Sequence, residues 1–96
     1  MDRKDAEPLS NVIRQYLRAI GAEARISEIR AMQKWDEVVG RVISRDTMDI
    51  DLRQGVLTVK FKSPLIRNEI MSRRSEIIRK INEAACEQIV KQLVVK

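Results

Sequence analysis

Apolar positions in the first half of the chain recur every three to four residues. Leu9, Val12, Ile13, Tyr16, Leu17 and Ile20 fall on one stripe of a helix predicted over PLSNVIRQYLRAIG. Pro8 suits its first turn, where the missing N–H is harmless, and Gly21 is placed to end it. The segment RISEIRAMQKWDEVVGRVISR predicts a second helix with Ser27 as its cap, in which Ile29, Met32, Trp35 or its neighbours, Val39, Val42 and Ile43 follow the i, i+3, i+4 spacing. Gly40 falls inside that helix, where glycine costs about 1 kcal/mol relative to alanine. The expected reason is close approach of another backbone. Residues 1–7 are polar and are expected to be flexible, ahead of a single domain over residues 8–96.

The period then changes from 3.6 to 2. Met48, Ile50 and Leu52 alternate with polar residues, and after RQG so do Leu57, Val59 and Phe61. A tight turn at Gln54-Gly55, with Gly55 supplying positive φ, pairs Arg53 with Val56. That register sets Leu52 opposite Leu57, Ile50 opposite Val59 and Met48 opposite Phe61, all on one face. Asp49 falls opposite Lys60 on the other face, an opposite-charge cross-strand pair. A slip of one residue would destroy both patterns.

Ser63-Pro64 is a helix start, cap then first turn. Ile66, Ile70, Ile77, Ile81 and Ala84 share a line on the helix beyond it, but MSRRSE interrupts the spacing. Two helices are therefore expected, over 64–72 and 75–86, with Ser72-Arg73-Arg74-Ser75 at the joint and Ser72 or Ser75 as the new cap, one continuous helix being the alternative. Cys86, beside Ala84 and Ala85, is expected to be a small core residue. QIVKQLVVK is rich in β-branched residues and predicts a strand returning parallel to the one that the helices left. The fold class is α+β, in the order α-α-β-β-α-α-β. Its three-stranded mixed sheet is covered by helices on one face.

Composition narrows the chemistry. There is no histidine and one cysteine, which removes the commonest general base and the usual zinc ligand sets. No glycine-rich nucleotide loop is present. Asp46, Asp49 and Asp51 read as a solvated strand face, not a cation site. No cofactor, metal or catalytic residue is expected, and the chain reads as a binding module, not an enzyme. With only Tyr16, Trp35 and Phe61 as aromatics, the core must be aliphatic. The absence of a signal segment or membrane-length apolar run makes a cytoplasmic protein the expectation.

Charge is unevenly spread. Residues 53–80 hold eight cations against two anions, while the whole chain carries a net charge of +5. The surplus thus sits entirely in this stretch. Lys60 and Lys62 point the same way from the wet side of a strand, Arg67 follows one turn into the next helix, and Arg73 and Arg74 occupy the joint. These five are the candidate contacts to phosphate, with affinity mainly electrostatic and tolerant of sequence. A solvated face and a protein dock are the competing readings. Trp35, Gly40 and Gly55 are assigned to the structural core, the alternative for Trp35 being a stacking platform for a base.

PLSNVIRQYLRAIG, KWDEVVGRVISRDT, LRQGVLTVKFKSPLIRNEI, SEIIRKINE and the final VKQLVVK together resemble the DciA family over about residues 8–95. The block Trp35 to Gly40, the strand from Gly55 to Val59 and Ile81-Asn82 carry most of the likeness. The resemblance implies a bacterial cytoplasmic protein with a type II K-homology-like domain. It further implies binding of single-stranded DNA and assistance to the replicative helicase in DNA replication. RNA binding, or a ribosome-associated role, is the alternative that the same basic face permits. In K-homology domains a GxxG loop between the two helices after the hairpin grips the nucleic-acid backbone. Ser72-Arg73-Arg74-Ser75 occupies that place, with two arginines in the position of the glycine loop.

Overall fold

The computed structural model describes residues 3–96, with side chains from residue 10 onward. Residues 1 and 2, the start of the segment expected to be flexible, lie outside the described residues. The elements are α1 (Arg3–Gln33), α2 (Trp35–Val39), α3 (Arg41–Asp46), β1 (Thr47–Arg53), β2 (Val56–Phe61), α4 (Pro64–Ser72), α5 (Arg74–Ala85) and β3 (Gln92–Val95). The sheet order is β1-β2-β3, with β1 antiparallel and β3 parallel to the central β2. Helices, then a hairpin, then two helices and a returning parallel strand are the type II K-homology-like arrangement read from the sequence.

The helical first half divides differently from expectation. α1 runs without a break through Gly21, and Pro8 falls in its second turn. AEARISEIR after Gly21 is rich in good helix formers, and one exposed glycine does not stop such a run. The break comes at Gly40 instead, at φ 87 and ψ 170. That combination is open in practice only to glycine. A Cβ placed on Gly40 meets nothing within 4 Å, so backbone conformation, not close packing, explains this residue. The interruptions at Lys34 and Gly40 rotate the helical phase. Trp35 and Ile43 stay buried, but Ile29 is exposed and Val42 is 76% exposed, contrary to the single-helix reading.

The core is aliphatic around one aromatic pair. Leu52, Leu57, Val59 and Leu93 from the sheet meet Ile70, Ile77 and Ile81 from α4 and α5. Trp35 lies against Phe61 with ring centroids 6.1 Å apart. The stripe of Val12, Ile13, Tyr16, Leu17 and Ile20 is exposed. Since α1 is continuous, its N-terminal half projects beyond the domain, and the longest dimension reaches 66 Å against 24 and 19 Å.

The hairpin turn has φ 51 at Gln54 and φ 84 at Gly55, the two positive values of a type I′ turn. From Arg53↔Val56 to Asp49↔Lys60 the register is the expected one. Beyond Asp49 a bulge intervenes, so that Thr47, not Met48, faces Phe61. Thr47 is drawn inward because its hydroxyl accepts from Trp35 Nε1 at 3.0 Å and donates to Ile43 O at 2.9 Å. Met48 is turned out to solvent.

The return to β3 depends on a buried amide. Asn82 Oδ1 accepts from Ile89 N (3.1 Å) and Val90 N (2.8 Å), and its Nδ2 donates to Val90 O at 2.9 Å. α5 ends in Cys86, left-handed at φ 56. This places Cys86 at the surface and not in the core, because the chain leaves the helix before the thiol can turn inward. Gly55 O then accepts from Lys91 N and Gln92 N, tying β3 to the hairpin turn.

Candidate nucleic-acid interface

The corner where β2 passes into α4 is built around Asp46. Its backbone carbonyl accepts from Lys62 N at 3.1 Å, and its carboxylate accepts from Ser63 N at 3.0 Å. Ser63 in turn caps α4 through Ile66 N, with Pro64 opening the helix. One face of Asp46 thus fixes the end of α3 against the start of α4. Asp49 is similarly occupied, its carboxylate accepting from Ile50 N at 3.0 Å.

This use of the two carboxylates decides the local electrostatics. Lys60 faces Asp49 in the register, yet the expected cross-strand ion pair is not made. Among the described residues Lys60, Lys62 and Arg67 form no salt bridge. Lys60 and Lys62 are exposed, and Arg67 is half-buried one turn into α4. Asp51, the third member of the acidic cluster, pairs instead with Arg53 and Arg25, each at 3.5 Å.

Two further cations belong to the same end of the sheet. The parallel ladder continues past Val95, with Lys96 N donating to Val59 O and Phe61 N to Lys96 O. Lys96 therefore lies level with Lys60. Arg45 is exposed next to Asp46. The parallel register of β3 was the signal that places Lys96, whereas the count over residues 53–80 passed over both.

The α4–α5 joint is a separate place. It lies at the far end of α4, about 12 Å along the helix from the corner at 1.5 Å per residue. Arg73 and Arg74 have different roles there. The Arg73 guanidinium braces the joint, with Nη1 3.5 Å from Glu69 and Nε 3.3 Å from Glu76. Lys80 and Arg73 together hold the Glu76 carboxyl below the usual carboxylate range. Arg74 is exposed and forms no ion pair among the described residues. Neither serine caps α5 with its side chain: Ser72 Oγ donates back to Glu69 O at 2.7 Å. The N-terminus of α5 is left without a side-chain cap.

Trp35, Gly40 and Gly55 take no part in this surface. Trp35 is 2% exposed with its indole N–H engaged, which removes the stacking-platform reading. Gly55 is buried against the Lys91 side chain, 3.3 Å from where its Cβ would stand. Among the described residues no helix is long and apolar enough to cross a membrane.

The sequence matches the family described as "Dna[CI] antecedent, DciA" over residues 8–95. The chain belongs to the DciA family. It is similar to a UPF0232 protein of Mycolicibacterium paratuberculosis (strain ATCC BAA-968 / K-10), 28% identical over 92 residues that make up 96% of this chain and 51% of the relative. A UPF0232 protein of Rhodococcus jostii (strain RHA1) is 27% identical over 96% of this chain and 49% of its own length. The chain therefore spans about half the length of these relatives. The DciA match includes the hairpin, the corner at Ser63 and the joint at Arg73-Arg74, so every cation described above lies within or next to it.

Proposed function

We propose that this DciA-family domain binds single-stranded nucleic acid across the corner formed by β2, α4 and the end of β3, and acts as an adaptor for the replicative helicase in bacterial DNA replication. One observation carries the first half of this reading. The two carboxylates at the corner, Asp46 and Asp49, are turned to backbone N–H groups, leaving Lys60, Lys62 and Arg67 without acidic partners among the described residues. Lys96 adds a cation beside Lys60, and Arg74 extends the surface to the α4–α5 joint. The helicase role follows the family, and the work of this domain in it is binding, with no catalysed step.

No exposed aromatic accompanies these cations, so affinity is expected to be electrostatic. With about four phosphates neutralised on a single strand, log K should fall against log salt with a slope of about −3. The test is fluorescence anisotropy of labelled single-stranded DNA at several salt concentrations, with unlabelled RNA as competitor. The expected result is tight binding at low salt, a slope near that value, and at least tenfold weakening in Lys60→Glu/Lys62→Glu. Absence of binding at low salt would overturn the nucleic-acid reading. Preferential displacement by RNA would overturn the choice of DNA. Co-purification of the bacterial replicative helicase tests the adaptor role, and failure of the two proteins to associate would remove it.

A further inference from the structure

The N-terminal half of α1 carries a surface that the domain does not use. Val12, Ile13, Tyr16, Leu17 and Ile20 are between 46% and 66% exposed. All five lie on one stripe of the helix. The C-terminal half of the same helix packs on β1 and α5, burying Ala31. The stripe continues in roughly the same direction past the edge of the domain, where none of the described residues covers it. An isolated helical extension is marginal in water, and its stability normally comes from burying an apolar face.

The spacing of the stripe suits a second copy of the same helix. Residues 12, 13, 16 and 17 are symmetric about the point between residues 14 and 15. Two copies of α1 laid antiparallel about a two-fold axis at that point bring Val12 of one level with Leu17 of the other. The same operation brings Ile13 level with Tyr16. A face that matches its own reverse is what an isologous contact requires. Arg14 and Arg18 are directed away from the stripe by their helical spacing, so no like charges oppose each other across the contact. The stripe offers on the order of 500 Å² per copy, or about 1,000 Å² in the pair, which sits at the lower edge of specific interfaces.

We propose that this protein self-associates through the N-terminal half of α1, forming an antiparallel two-helix contact between two copies centred between residues 14 and 15. The two domains then lie at opposite ends of the paired helices, each with its cationic corner away from the contact. This arrangement does not depend on nucleic-acid binding, and it would present two cationic corners on one particle.

The experiment is sedimentation equilibrium of the whole chain over about 1–200 μM, the range in which an interface this small is expected to dissociate. The expected result is a mass that rises from monomer towards dimer. Leu17→Glu should stay monomeric at every concentration with an unchanged circular dichroism signal from the domain. A wild-type chain that stays monomeric throughout overturns the proposal, as does a Leu17→Glu chain that still dimerises. Orientation is read from disulfide trapping in a Cys86→Ser background. A mixture of Ile13→Cys and Tyr16→Cys chains should cross-link to each other. Ile20→Cys chains should not cross-link to themselves, because an antiparallel pair holds those positions far apart. Ready self-linking of Ile20→Cys would mean parallel helices and would overturn the antiparallel contact.

Discussion

The indole N–H of Trp35 donates to Thr47 Oγ1 at 3.0 Å, and the same hydroxyl donates on to Ile43 O at 2.9 Å. One threonine thus satisfies the only polar side-chain atom of a buried tryptophan and ties α2, α3 and β1 together. Thr47→Val keeps the shape and leaves the indole N–H unpaired in a dry site. It should destabilise the domain by about 1–3 kcal/mol. Trp35→Ala should cost about 3–5 kcal/mol. Urea unfolding checks both, with Thr47→Ser expected to stay near wild type. A Thr47→Val chain as stable as wild type would mean that the hydrogen bond contributes nothing.

The glycines at 21 and 40 should respond in opposite directions to the same change. Gly21 is helical and exposed, with open space where a Cβ would stand. Gly21→Ala should stabilise α1 by up to about 1 kcal/mol. Gly40 has φ 87 and ψ 170, so Gly40→Ala should cost about 1–3 kcal/mol despite equally open space. Thermal melts of the two variants check the pair, and a stabilised Gly40→Ala would remove the strain argument.

Asn82 makes three hydrogen bonds to the two residues that lead into β3. Asn82→Leu is close in size but leaves Ile89 N, Val90 N and Val90 O without those partners. It should destabilise the domain by about 2–4 kcal/mol, with the loss concentrated in β3. Hydrogen exchange resolves the location. Amides of Leu93 to Val95 should lose protection before those of the β1–β2 hairpin, and uniform loss would mean that Asn82 supports the whole core equally.

These sites differ in how far the sequence revealed them. Alternation alone established the hairpin from Arg53 to Asp49, because only one register puts every apolar residue on one face. Ser-Pro established the start of α4 for a similar local reason. The bulge at Met48 was not legible, since Met48 fits the alternation better than Thr47 does. The competing pull is a long-range bond to Trp35, which no period reports. The phase of α1 to α3 was misread because a glycine in a helical pattern looks alike whether it is helical, as at 21, or extended at positive φ, as at 40. At the candidate interface the residue types were visible but their neutralisation was not. Arg73 and Arg74 are equivalent in sequence, and only the geometry separates a brace from an exposed cation.

The clasp between α1 and the hairpin should make stability fall in acid. Glu28 accepts from Arg25 Nη1 at 3.0 Å and from Gln54 N at 2.9 Å, while Arg25 also donates to Leu52 O. The Arg25 hydrogen bond, aided by the Gln54 N–H, holds the Glu28 carboxyl below its ordinary value against the opposing effect of burial. A carboxyl whose folded value is depressed contributes stability above its unfolded value, and loses it as pH falls through the folded one. Melting temperature measured from pH 7 down to pH 3 should therefore drop more steeply for wild type than for Glu28→Gln. The variant should also be the less stable chain at pH 7. Parallel profiles would show that the clasp adds nothing.

Arg73 and Arg74 should separate folding from binding. Arg73 bridges Glu69 on α4 and Glu76 on α5, with its side chain about one-third exposed, so Arg73→Glu places three carboxylates at the joint. Surface pairs contribute little each, yet reversing a shared partner replaces attraction by repulsion on both sides. Arg73→Glu should lower the melting temperature by a few degrees, and should weaken nucleic-acid binding mainly through that change. Arg74→Glu should leave the melt unchanged and weaken binding to single strands of any sequence, with a salt slope shallower by about 0.7 for one lost phosphate contact. Melts and salt titrations on the two single variants decide it. Unchanged binding in Arg74→Glu would confine the interface to the corner at Lys60, Lys62 and Arg67, and would remove the joint from it.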